Sequence, residues 1–294
     1  MRGAHPERDL ERGIEQSGAL HAGERVLVAC SGGPDSVALT ASLHAAKRLR
    51  LKLRVAFVNH GLRASALQDE CVVLQLAAQL DVPLDVVVLE PGGASEEQMR
   101  DARYAALADL ATRRGCDAVA TAHHAEDQSE TVLLALLRGA GARGLSGMRG
   151  RRILTHAVDL ARPLLGMPSE TLRAYCHARS LPYAVDPTNA ETGLRRNAVR
   201  EALSALRPLF PGLDAAVARA ATIASEEGDA SRRATLRRRV RQQLDGDDEL
   251  RDIDFLHVEA AVRALEEGRS GAFHMKPGLV LRIDRGDITG IGKT

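Results

Sequence analysis

Residues 25–36 read RVLVACSGGPDS, an apolar run that ends in a glycine-rich hexapeptide. Arg25–Cys30 has the composition of a strand buried on both faces, as in parallel sheets. Gly32 and Gly33 let the backbone bend and come close to a ligand, and Pro34 suits the first turn of a helix. A helix begun there exposes its first N–H groups, and its dipole favours an anion at that end. Ser31 and Ser36 add hydroxyl donors to the same place. Asp35 is the odd member, because a carboxylate beside phosphate needs a cation. Mg2+ bridging Asp35 to the phosphates meets that need. The plain alternative is a Gly-Pro turn that only caps a helix, and the order strand, loop, helix speaks against it.

Beyond this stretch, apolar runs alternate with amphipathic ones. Strands are expected at 53–59, 85–90, 117–122 and 152–160, with helices between them; Ser65 and the Ser95–Gln98 box cap two of these. The pattern predicts an α/β fold, a doubly wound parallel five-stranded sheet with ligands at the carboxyl ends of its strands. After Pro163 the chain turns helical, and Pro208 and Pro211 mark a boundary. The expected domains are 1–207 and a smaller, mainly helical 208–294, which carries an acidic break at 245–249 and a β segment, LVLRID, at 279–284.

With 45% hydrophobic and 27% charged residues, composition is that of a soluble globular chain, and no run approaches the roughly 20 apolar residues of a membrane span. The polar N-terminus is no secretory signal. Cys30, Cys71, Cys116 and Cys176 form no CxxC pair, which argues against a zinc ribbon or disulfide framework and points to a reducing cytoplasm. Net charge is +1, yet arginines cluster at 138–152 and at 232–241, either as solvated helix faces or as contacts for a phosphate backbone. With four Phe, three Tyr and no Trp, a base-stacking platform is not expected.

Two phosphate-motif matches fail on context. Gly139–Gly144 spells GxGxxG but follows a helix, and Gly292-Lys293-Thr294 has no helix after it. The stretch TAHHAEDQSET, 121–131, is richer. His123 and His124 fall just past a strand end, and Asp127 and Glu130 share a helix face. Glu126 and Asp127, in the first turn of that helix, either compensate its dipole or join Glu130 in receiving a metal or an amine. Asn59–Arg63, with Arg100 and Arg103, offers cations for triphosphate charge. Asp186–Asn189, followed by Arg195, Arg196, Asn197 and Arg200, offers arginines to phosphate or RNA.

Together SGGPDS, VNHGLR (58–63), Glu96 with Arg100, Arg103 and Tyr104, TAHHAEDQSET with RGAGARGLSGM, RPLL (162–165) and DPTN with RRNAVR resemble the tRNA(Ile)-lysidine synthetase family of the PP-loop superfamily. SGGxDS alone specifies only the superfamily. The resemblance covers about 25–205, and its one departure is Glu126 where the family usually has aspartate. It implies adenylation of the C2 oxygen of the wobble cytidine in isoleucine tRNA with a CAU anticodon. The ε-amine of free L-lysine then displaces AMP. It implies that Ser31, Gly32, Gly33, Pro34, Asp35, Ser36 and His60 bind ATP, with Asp35 organising Mg2+. Arg103 and Arg196 would stabilise charge at the α-phosphate, and Asp127 and Glu130 would receive lysine. Arg200, Arg237, Arg238 and Arg239 would bind tRNA, the last three from a C-terminal tRNA-binding domain. A homodimer is compatible with the sequence, which carries no signal for it. The rival readings are a tRNA thiolase, a small-molecule amidating PP-loop enzyme and a non-catalytic RNA-binding relative.

Overall fold

The computed structural model describes residues 6–59, 66–89, 96–184, 194–222, 224, 239–240, 255–276, 279–285 and 287–293. Ser65, Ser95, His60–Arg63, Asp186–Asn189, the acidic break at 245–249, Arg237 and Arg238 lie outside them. The chain divides into two compact units, 1–221 and 222–294.

In the first unit, helices α1 (Pro6–Gln16), α2 (Pro34–Ala45), α3 (Ala66–Leu80), α4 (Glu96–Arg114), α5 (Ala125–Leu137), α6 (Ala142–Leu145), α7 (Ser169–Ala178) and α8 (Leu194–Leu206) surround a six-stranded sheet. Its strands are β1 (Arg25–Ala29), β2 (Lys52–Asn59), β3 (Leu84–Val88), β4 (Ala118–Ala120), β5 (Arg151–Ile153) and β6 (Asp159–Ala161), in the order β3-β2-β1-β4-β6-β5. All neighbours run parallel except the β5–β6 pair. The expected fifth strand at 152–160 is therefore two strands joined by a turn. The reason is local: Thr155 Oγ1 accepts the Ala157 N–H at 3.3 Å, and the Leu154 and Thr155 amides both reach back to Val158 O.

The sheet is covered on both faces. Val26, Val28, Val55, Phe57 and Ala120 pack with α1, α2 and α7 residues such as Leu10, Leu39 and Leu172, while Leu27, Ala56, Val119 and Leu160 pack with Leu107 and Leu110 of α4. That period-two division explains why β1 reads as a continuous apolar run. The chain steps from β1 outward to β2 and β3, then returns to β4 on the other side of β1. A crevice forms at such a switch point. The polar N-terminus holds an amphipathic helix, α1, whose Leu10 and Ile14 are fully buried.

Residues 213–222 are helical (α9). In the second unit, α10 (Phe255–Glu266) packs on the antiparallel sheet β7 (Gly271–Lys276), β8 (Leu279–Asp284) and β9 (Asp287–Lys293) through Ala261, Val262, Leu265, Met275, Leu281 and Ile283. Of this sheet the sequence foretells only β8. Gly292 and Lys293 lie in β9, so the Walker-like ending is strand.

Candidate active site at the ends of β1 and β4

The loop between β1 and α2 is built by its first glycine. Gly32 has φ +85°, and a Cβ there would stand 2.9 Å from Asp69 O and 3.2 Å from Asp69 Cα on α3. Only glycine fits. Gly33 caps α2 with an ordinary φ of −74°, so its role is to leave the loop's face clear. Ser36 braces the turn: its hydroxyl accepts the Ser31 N–H at 3.1 Å and donates to Gly33 O at 3.0 Å. The Ser36 hydroxyl, expected to face an anion, is thus engaged within the loop, as is the Ser31 amide. The Gly32 carbonyl accepts the Ala184 N–H at 2.9 Å, tying the loop to the segment after α7. Among the described residues the amides of Gly33, Asp35 and Ser36 meet no acceptor. They are the orphan donors of a helix N-terminus.

Asp35 projects from this turn toward α5. Its Oδ1 is buried with no partner among the described residues, while Oδ2 lies 3.6 Å from His124 Nε2. The same nitrogen is 3.5 Å from Asp127 Oδ2, and Nδ1 is 2.9 Å from Glu126 Oε2. The Nδ1 contact is close but off the line of a hydrogen bond, so charge rather than alignment holds it. Burial opposes a proton on His124, but Asp35, Glu126 and Asp127 outweigh it and push its pKa up to about 10. Burial raises Glu126 too, yet His124 and Ser169 hold it at about 2. Glu126 accepts the Ser169 N–H at 3.0 Å and the Ser169 hydroxyl at 2.8 Å, so it caps α7 as well. The His124 N–H donates to Asp127 Oδ2 at 3.1 Å, closing the first turn of α5.

His123 behaves oppositely. Its Nδ1 meets Thr121 Oγ1 at 2.9 Å, and burial, with Arg162, Arg100, Arg196 and His124 nearby, drives its pKa down to about 3. It is neutral.

One turn along α5, Glu130 is buried beneath α8. Arg196 Nε donates to its Oε2 at 2.8 Å and Arg200 Nε to its Oε1 at 2.7 Å. Burial alone would raise Glu130, but Arg200 and Arg196 hold it below the usual carboxylate range. The expectation that Glu130 faces an incoming ammonium meets a different arrangement, since two guanidiniums already occupy both oxygens. Arg196 also lies 3.7 Å from Asp127 Oδ1, so Asp35, His124, Glu126, Asp127, Glu130, Arg196 and Arg200 form one connected set. Arg103 is exposed on α4. Arg239 belongs to the second unit, 3.5 Å from Asp287. No group of three or more ligands suited to a metal ion occurs among the described residues. The sequence flagged His124 only as one of two histidines, and missed the His124–Glu126–Ser169 line. The histidine followed three residues later by aspartate is a capping pattern that points to it.

Residues 6–206 match the PP-loop domain family. A protein of Dehalococcoides mccartyi named tRNA(Ile)-lysidine synthase is 31% identical over 92% of this chain and 67% of its own length. The chain belongs to the tRNA(Ile)-lysidine synthase family of PP-loop proteins. A relative of the same name from Symbiobacterium thermophilum is 42% identical over 67% of this chain, and the match spans 42% of that longer protein. The chain spans 42%, 60% and 64% of the length of three curated relatives of that name. Among solved structures, the U34-tRNA thiolase NcsA from Methanococcus maripaludis shares the fold, with a TM-score of 0.63 at 16% identity over 73% of this chain and 78% of that one. No described helix is long and apolar enough to cross a membrane.

Proposed function

We propose that the chain is an ATP-dependent tRNA(Ile)-lysidine synthetase. It adenylates the C2 oxygen of the wobble cytidine in CAU-anticodon isoleucine tRNA, releasing pyrophosphate. The ε-amine of free L-lysine then displaces AMP to give lysidine. The observation that carries the reading is the juxtaposition, at one switch point, of open helix N-terminal amides with the connected carboxylate–arginine set. The amides of Gly33, Asp35 and Ser36 suit the departing pyrophosphate, with Ser31, Gly32, Pro34 and His60 completing the ATP site.

The buried, unpartnered Asp35 Oδ1 fits a Mg2+ ion shared with phosphates, since such ions are held by one or two carboxylates plus substrate oxygens. Bound there, the ion would supply charge neutralisation of the triphosphate. Arg196 and Arg103 stabilise charge at the α-phosphate. Asp127 receives the lysine ammonium, and Glu130 serves that site through the two arginines it orients. Arg200, with Arg237, Arg238 and Arg239 of the second domain, contacts tRNA. The working compartment is the cytoplasm. A thiolase reading needs reactive, paired thiols. Against it, Cys30, Cys116 and Cys176 are buried with pKa raised by desolvation.

The test is pyrophosphate release from ATP and Mg2+, with and without the tRNA and lysine. Release should require the tRNA, and labelled lysine should enter only the CAU isoleucine species. Release indifferent to tRNA would remove the lysidine reading and leave adenylation standing. Asp35→Ala should abolish release, and a normal rate in that variant would reject the site.

A further inference from the structure

Near His123 lies a cluster of cations without counter-ions among the described residues. Arg162, the residue after β6, is 3% exposed, and its Nε has no hydrogen-bond partner. One of its terminal nitrogens donates to Arg149 O at 2.8 Å. The side chain lies against the Tyr104 hydroxyl of α4, in the field of Arg100 and Arg152. Arg100 and Arg152 stand 5.4 and 5.9 Å from the centre of the Tyr104 ring. Among the described residues none of these three guanidiniums pairs with a carboxylate. Arg162 is buried, Arg100 half-buried and Arg152 exposed, so the charge runs from the interior to the surface.

Three like charges around one ring repel each other, and a buried Nε without an acceptor is unfavourable. An anion offsets both. The nucleotide's phosphates have their own donors in the Ser31–Ser36 turn, and among the described residues none of these three arginines pairs with Asp35 of that turn. A polyanion approaching from solvent reaches Arg152 first. We infer that Arg162, Arg100 and Arg152, gathered on Tyr104, bind a backbone phosphate of the RNA substrate as its target base enters the site. This rests on the reading of the chain as a tRNA-modifying enzyme. Neutral His123 suits the position, because it lets the cluster act beside the reacting centre without a further buried charge.

The test compares the full-length wild type with Arg100→Gln/Arg152→Gln, two residues near the surface, and with Arg162→Lys. Binding of CAU isoleucine tRNA is measured across a salt series, and ATP binding in parallel. The double variant should weaken tRNA binding by about tenfold at low salt, lower the slope of log affinity against log salt by roughly one, and leave ATP affinity unchanged. Arg162→Lys, which keeps charge but loses the planar fork, should weaken tRNA binding in the same direction. Unchanged tRNA affinity and slope in the double variant would overturn the inference and leave the function standing. Loss of ATP affinity instead would assign the phosphate to the nucleotide and overturn it too. A wild type that bound no tRNA would overturn both readings.

Discussion

The two imidazoles that follow β4 are neighbours in sequence and opposites in chemistry. His124 turns toward carboxylates on three sides and carries a proton to about pH 10. His123 turns toward Thr121 and a field of arginines and stays neutral down to about pH 3. Both are largely buried, so desolvation opposes the proton in each. What separates them is the sign of the surrounding charge. The end of β4 thus divides an acidic pocket, shared with Asp35, from a basic one centred on Arg162. The proposed reaction, which handles an ammonium and several phosphates, would use both.

The harshest way to break this division is to remove the central cation. His124→Gln leaves Asp35, Glu126 and Asp127 facing one another with their imidazolium gone. Stripping one partner from a buried charge set costs on the order of 3 kcal/mol, and we expect that loss in urea denaturation at pH 6. Adenylation should fall below detection at the same time. Wild-type stability in this variant would mean that the carboxylates are well solvated and that the histidine is not their counter-ion.

A milder cut sharpens the comparison. Glu126→Gln keeps an acceptor for Ser169 but removes one of the three charges that hold the His124 proton. The expected cost is about 1–2 kcal/mol, with the His124 pKa falling in an NMR titration while that of His123 stays depressed. If both imidazoles moved together, the two pockets would be one electrostatic unit.

How far the sequence foretells this site varies from element to element. SGGPDS after an apolar strand is sufficient for β1, the turn and α2, because glycine, proline and strand periodicity act over a few residues. The helix expected after the strand at 117–122 is foretold for the same reason and runs Ala125–Leu137. The RILTHAVDL run reads as one strand, since nothing in periodicity reveals that Thr155 bonds back two residues on. The site residues Asp35, Asp127, Glu130 and Arg196 are legible as motif members, but their pairing is not. That α8 places Arg196 and Arg200 on Glu130 is a long-range contact across 66 and 70 positions, with no local signature. The solitude of Arg162 is equally invisible, because an arginine in RPLL says nothing about which carboxylates are missing around it.

The gentlest intervention concerns His123 and works through pH. Its folded pKa, about 3, lies below the ordinary 6.5, so between these values the unfolded chain takes a proton that the folded chain refuses. Stability therefore falls as pH drops from 6.5 toward 3, and this contribution is complete above 6.5. For His124 the inequality reverses: the folded chain keeps a proton that the unfolded chain releases between 6.5 and about 10, so stability falls as pH rises through that range. At pH 7 His123→Gln, whose amide can still reach Thr121, should cost less than about 1 kcal/mol, as the hydrogen bond is retained. Its effect appears in the shape of the curve. Denaturation midpoints between pH 6.5 and 4.5 should flatten relative to wild type, while the alkaline limb, set by His124, should be unchanged. Below 4.5 carboxylates held low in the fold, Glu126 and Glu130 among them, also lose stabilisation in both proteins, so the comparison is read above that pH. An alkaline limb that flattened along with the acid one would show that the two neighbours titrate as a coupled pair, and the division at the end of β4 would then be wrong.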